Sequence, residues 1–230
     1  MIKDIYCLPG TMCDQRLWQS TQQALGQSLL LNHVPIPMLE NIDVIVEALY
    51  ESLPKHPINL LGFSMGGYLA CAFAIKYPQR VKRLMVLSNT GSGLLETERR
   101  QREIALNWVA KQGYKGIPKK KAMAMLSEKN SENSELIEII QAMDATLGER
   151  VFIQQLKSSL DRPELLPELL EGDFPLSFVV GNEDSLLSAD VLEKIRSSKL
   201  CTLHTLNQSG HMLTLEQPVL VADLIKSFYS

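Results

Sequence analysis

Residues 62 to 66 read Gly-Phe-Ser-Met-Gly, set between an apolar run, Ile58 to Leu61, and a helix-like stretch from Met65 to Tyr77. A serine on a tight strand-to-helix turn can act as a nucleophile. The turn lifts its hydroxyl clear of the backbone, and the small residues Gly62 and Gly66 leave room for the bend. Ser64 is the candidate nucleophile, and the N–H of Met65, at the helix start, is aimed at an oxygen that gains charge when a carbonyl is attacked. A serine hydroxyl is a weak nucleophile near neutral pH, so it needs a base within reach and that base needs an orienting acid. The segment Gly181-Asn182-Glu183-Asp184 follows the apolar run Phe178 to Val180 and places an acid at a strand end. Asn207-Gln208-Ser209-Gly210-His211 places a histidine in a loop ahead of the last helix. Asp184 sits nearest the strand end, Glu183 and Asp190 being alternative acids, and it could instead cap the helix that follows. His33, His56 and His204 read as structural or solvated.

The elements that must hold these residues follow from apolar periodicity. Runs rich in β-branched residues predict strands near 2–8, 28–34, 58–62, 81–88, 174–181 and 200–206. Helical spacing predicts helices near 14–25, 41–53, 65–77, 187–197 and 217–229, the last with Pro218 in its first turn. Strands alternating with helices predict an α/β fold with a mostly parallel sheet covered on both faces. The alternation stops between residues 93 and 172, which carry no strand pattern and read as an inserted helical cap on a core of 1–92 and 173–230. Within the insertion, helices are expected near 96–112, 119–127, 134–146 and 149–160, with Pro163 and Pro167 leading the chain back to the sheet.

Composition narrows the function classes. The chain has 230 residues, 45% hydrophobic and 21% charged, with a net charge of -3. That balance fits a single globular enzyme domain with an insertion and gives no basic footprint for nucleic acid. No apolar run approaches the ~20 residues of a membrane span, and the first residues lack the apolar core of a signal peptide, so a cytoplasmic protein is expected. Cys7, Cys13, Cys71 and Cys201 form no close pair and read as free thiols. No histidine and cysteine spacing suggests a metal, and the chemistry outlined above requires no cofactor.

Taken together, Leu8-Pro9-Gly10-Thr11-Met12, Gly62 to Gly67, Gly181 to Asp184 and Gly210-His211 resemble the α/β-hydrolase superfamily, and within it the small cytoplasmic, cap-bearing carboxylesterases. The resemblance covers the chain outside the insertion. It implies an α/β-hydrolase fold, an ester substrate, an acyl-enzyme on Ser64, His211 as base and Asp184 as orienting acid. In that family the loop after the first strand usually reads His-Gly and gives the second oxyanion N–H. Here Pro9 replaces the histidine, leaving the N–H of Thr11 as the expected donor and that of Met12 as the alternative. Apolar candidates for substrate contact are Phe63, Met12, Leu106, Trp108, Met123, Met125, Leu126, Met143 and Leu147, which could equally pack the cap on the sheet. The nearest subgroup includes esterases acting on methyl esters of acyl groups held by acyl carrier protein, and Lys115, Lys119, Lys120 and Lys121 could face such an acidic partner. The same fold also supports menaquinone-pathway lyases, for whose anionic substrates Arg99, Arg100, Arg102 and Arg150 are available, and noncatalytic ligand-binding proteins.

Overall fold

The structure is a computed structural model and describes residues 3–230. Six strands form one sheet: β1 (Lys3–Leu8), β2 (Leu29–His33), β3 (Ile58–Phe63), β4 (Val81–Leu87), β5 (Leu176–Gly181) and β6 (Thr202–Leu206). All neighbours pair in parallel, in the order β2-β1-β3-β4-β5-β6. All six expected strands are present; the expected start of the first, Ile2, lies outside the described residues. Strands β3 and β5 are buried along their whole length, as a parallel sheet covered on both faces requires. Alternate residues feed two apolar clusters. Ile5, Cys7, Leu61, Phe63, Met85 and Leu87 face one side of the sheet, and Leu8, Leu60, Leu84, Val86 and Phe178 the other.

Four helices of the core pack apolar residues against these faces. On the first face lie α1 (Arg16–Leu25), which buries Leu17, Trp18, Thr21 and Leu25, and the carboxyl-terminal helix Pro218–Tyr229, which buries Val221, Ala222, Ile225 and Tyr229. On the second lie α2 (Ile42–Ser52), started by the Asn41 side chain accepting from the Val44 N–H at 3.1 Å, and α3 (Met65–Lys76). Gly66, Gly67, Ala70 and Ala74 let α3 run close against the strands.

Between β4 and β5 the chain holds helices and no strand: α4 (Glu96–Gln112), α5 (Lys119–Met123), α6 (Ser134–Ser158) and α7 (Leu166–Leu170). Helix α6 joins the two helices expected there, broken at Gly148, where φ is 71°. Helix α5 is shorter than the expected 119–127. Beyond Met123 the turn tightens, and the Met125 carbonyl accepts the N–H groups of His211 at 2.8 Å and Met212 at 3.2 Å instead of continuing a helix. Helix α7 was not expected; Pro167 stands in its first turn, where proline favours a helix start. Ala122, Leu126, Ile137, Ile140 and Met143 of this segment join the first apolar cluster. Between β5 and the terminal helix, α10, come α8 (Ala189–Ser197) and the short α9 (Leu213–Glu216).

Register fixes where the chemistry can sit. Leu8 pairs with Gly62, Phe63 with Leu87, Leu87 with Val179 and Gly181 with Leu206. The carboxyl ends of β1, β3, β4, β5 and β6 therefore finish along one edge, and the loops beginning there carry Thr11, Ser64, Ser88, Asp184 and His211.

Candidate active site

Ser64 follows β3 directly and precedes the first residue of α3. Its φ of 50° and ψ of -117° lie outside the regions a side chain favours, and its N–H donates to the Leu87 carbonyl at 2.9 Å. Such a bend needs clearance. A Cβ on Gly66 would stand 2.2 Å from the Leu8 oxygen and one on Gly62 would stand 2.4 Å from the Gly66 oxygen, so neither position accepts a side chain without moving backbone. Strain of this kind costs roughly 1 to 3 kcal/mol per residue and persists where the surroundings enforce it. Among the described residues the non-glycine positive φ values belong to Met12, Ser64, Ser88 and Gln208, all in loops at the carboxyl edge of the sheet.

The serine hydroxyl lies 2.9 Å from His211 Nε2, and His211 Nδ1 lies 2.8 Å from Asp184 Oδ2. The Asp184 side chain is 0% exposed and that of His211 6%. A carboxylate only accepts, so Nδ1 carries the proton between them and Nε2 is left to accept from Ser64. The second Asp184 oxygen accepts the Leu186 N–H at 3.0 Å. Asp184 does not cap α8, whose N-cap is Ser188. Of the alternative acids, Glu183 accepts the Glu128 N–H at 2.7 Å and Asp190 is exposed in the first turn of α8.

The histidine loop is held from two sides. Its N–H donates to the Met125 carbonyl, and its carbonyl accepts the Ser88 hydroxyl at 2.7 Å. Ser88, at the end of β4, escaped sequence reasoning because its partner is 123 residues away. His33 is half-buried, with its pKa lowered by burial, His56 is exposed and His204 lies in β6; none of the three borders the cavity over Ser64.

The two N–H groups that could meet a charged oxygen are those of Met65 and Thr11, neither with an acceptor among the described residues. The Met12 N–H is engaged: it donates at 2.9 Å to Oε1 of Gln155, a buried residue of α6. Between the two N–H groups left open by the sequence, Thr11's is the one free to point elsewhere. Gln155 carries no local signal, standing 143 residues from its partner.

A cavity of about 790 Å³ opens over Ser64 and His211, within the usual range for small-molecule sites. Met12, Phe63, Trp108 and Met125 line it. Phe63 is buried, its ring centre 5.4 Å from that of His211, whereas Trp108 is 62% exposed. Met123 is not among the lining residues: it ends α5 and packs against the first apolar cluster, and the turn after it presents Met125 instead. Leu126 and Met143 are likewise core residues, and Leu106 and Leu147 do not reach the cavity. Cys13 also borders it as a free thiol, its pKa pushed by burial to about 12, which leaves no reactive thiolate there. Among the described residues no group of three or more His, Cys, Asp or Glu could hold a metal ion, and no helix is long and apolar enough to cross a membrane.

Comparison with known proteins agrees with this architecture. Residues 39–136 match the family model described as alpha/beta hydrolase fold. A thermophilic esterase from Thermogutta terrifontis superposes with a TM-score of 0.84 at 21% identity, covering 99% of this chain and 89% of that one. The chain has the α/β-hydrolase fold. Among curated relatives, the chain is 24% identical to the pimeloyl-[acyl-carrier protein] methyl ester esterase of Vibrio parahaemolyticus, over 80% of this chain and 71% of that protein. It is 23% identical to a candidate 2-succinyl-6-hydroxy-2,4-cyclohexadiene-1-carboxylate synthase of Bacillus subtilis, over 78% of this chain and 68% of that one. The subgroup resemblance read from the motifs is thus matched by relatives of that name.

Proposed function

We propose that the protein is a serine carboxylesterase in which Ser64, His211 and Asp184 form the reacting triad. The observation that carries the reading is the unbroken hydrogen-bonded chain from Ser64 Oγ through His211 to Asp184, opening into a cavity beside two free N–H groups. Ser64 Oγ attacks the ester carbonyl while Nε2 of His211 takes its proton. Asp184 holds the ring and offsets the charge it gains. The N–H groups of Met65 and Thr11 meet the carbonyl oxygen as it becomes negative, an effect worth about a hundredfold to a thousandfold in rate for each donor. The imidazolium returns its proton to the leaving alcohol, and water repeats the sequence on the acyl-enzyme. Met12, Phe63 and Trp108 border the substrate, with the helical segment 93–172 acting as a cap over the core of 1–92 and 173–230.

An acyl carrier protein as the donor of the ester is supported by the similarity to the carrier-dependent esterase and by the exposed Lys115, Lys119, Lys120 and Lys121. A carbon–carbon lyase or eliminase on the same residues is the second reading, favoured by the similarity to the relative named as a 2-succinyl-6-hydroxy-2,4-cyclohexadiene-1-carboxylate synthase. Hydrolysis of p-nitrophenyl esters by the native protein and by Ser64→Ala separates the readings. An esterase loses at least about ten-thousandfold in kcat with the variant. A folded native protein that cleaves none of these esters and shows no acyl-enzyme burst favours the lyase.

A further inference from the structure

The wall of the cavity is not uniformly apolar, since Arg102, Arg162 and Lys121 also line it. Arg162 is the unusual member. Its side chain is only 7% exposed, its Nε is buried without an acceptor, and none of its N–H groups makes a hydrogen bond to a described residue. The nearest carboxylate, Glu98, lies 3.9 Å from Nη2, too far for a hydrogen bond. Glu98 is already committed to Arg102, accepting from its Nε at 3.1 Å and its Nη2 at 2.6 Å, while Arg102 Nη1 donates to the Ser159 hydroxyl at 2.5 Å. Asp144, the other acid on the wall, is taken by the Tyr114 hydroxyl and by the Ile117 N–H at 2.8 Å.

The guanidinium of Arg162 rests 4.9 Å from the centre of the Tyr68 ring. That contact satisfies the face of the ion and leaves its in-plane donors unused. Burial, with Arg102 alongside, pulls Arg162 down to about 10, so it still carries its charge at neutral pH. A buried guanidinium with free donors is costly unless a partner arrives, and a planar fork of N–H groups fits a carboxylate. Tyr68 ties the position to the chemistry, because its N–H donates to the Ser64 carbonyl at 3.1 Å, one helical turn along α3.

We propose that this wall binds a carboxylate of the substrate, so that the ester attacked by Ser64 carries a free acid at the end remote from the reacting bond. The proposal rests on the esterase reading above. Against Glu98 and Asp144 the wall carries Arg102, Arg162, Lys115 and Lys121, so positive charge is left over for a carboxylate to meet.

The test compares p-nitrophenyl hydrogen adipate with its neutral counterpart p-nitrophenyl hexanoate, in the native protein and in Arg162→Met. The native protein is expected to favour the acid by about tenfold or more in kcat/KM, and Arg162→Met to lower that ratio at least tenfold. A native ratio near one, or a ratio unchanged by the substitution, overturns the proposal. Titration calorimetry with adipate gives a readout that needs no turnover. Saturable binding to Ser64→Ala should be lost when Arg162→Met is added, and equal binding to both overturns the site. If neither ester is cleaved the esterase reading fails, and the calorimetry alone decides the site. Should Arg162→Met not fold, Arg162→Lys replaces it in both measurements, since it keeps the charge and loses the planar fork.

Discussion

The carboxyl edge of the sheet and the helical segment above it are held in place by different means. At the edge, backbone lies against backbone: β3, α3 and the loop after β1 approach so closely that Gly62 and Gly66 admit no side chain, and Ser64 is forced into a positive φ. The segment between β4 and β5 does pack apolar residues on the core, but it is tied to the reacting edge by a few polar contacts. Gln155 holds Met12, Glu183 holds Glu128, Glu216 accepts the N–H groups of both Ser127 and Gly210, and Met125 holds the histidine loop. The first kind of contact fixes geometry and the second adjusts it. Reactivity should therefore fail abruptly when the edge is altered, and selectivity should shift by degrees when the segment is.

The largest effect is expected from Asp184→Asn. The amide would offer a donor where Nδ1–H needs an acceptor, turning the imidazole to the wrong tautomer, and kcat measured on p-nitrophenyl esters should fall by about ten-thousandfold while the melting temperature changes little. Gly66→Ala attacks the same edge through its packing. With a Cβ 2.2 Å from the Leu8 oxygen, the cost is about 3 kcal/mol, and calorimetry should record a melting point lower by about 10 °C. The contact between the two regions is examined by Gln155→Ala. Loss of one buried hydrogen bond to the oxyanion loop should lower kcat roughly tenfold with a smaller change in KM, and Gln155→Glu, which keeps an acceptor for the Met12 N–H, should restore most of it. The smallest effect belongs to the segment's outer surface. Charge reversal at Lys119 and Lys120 should lower the ratio of carrier-bound to free ester turnover a few-fold, more at low salt, and an unchanged ratio would remove those lysines from carrier recognition.

The two regions were also unequally legible in the sequence. The strands announce themselves, because a strand buried on both faces must be an apolar run, as in Phe178-Val179-Val180. The strand-to-helix turn at Ser64 is readable because close approach admits only glycine at Gly62 and Gly66. Ser64 and Asp184 were readable as candidates from their places after strand ends, and His211 from its place in the loop ahead of the last helix. What escaped depends on contacts far apart in the chain: Ser88 with His211, Gln155 with Met12, and the choice of Met125 rather than Met123 for the cavity. The last turns on where α5 stops; beyond it the Met125 carbonyl accepts the His211 and Met212 N–H groups, a contact distant in the chain that local propensity does not encode. Arg162 was passed over for a related reason. Its neighbours in sequence, Asp161 and Pro163, suggest an exposed turn, and only the fold reveals its side chain enclosed.

The Met125 carbonyl has a consequence for how such a chain can diverge or be redesigned. The turn that presents Met125 to the cavity also grips the His211 loop, so the helical segment between β4 and β5 is no detachable module. A foreign segment grafted between β4 and β5 would have to present a carbonyl to the same two N–H groups, or leave His211 adrift from its serine. Recombination points that keep residues 124 to 127 with the parent sheet should outperform cuts made at the strand ends.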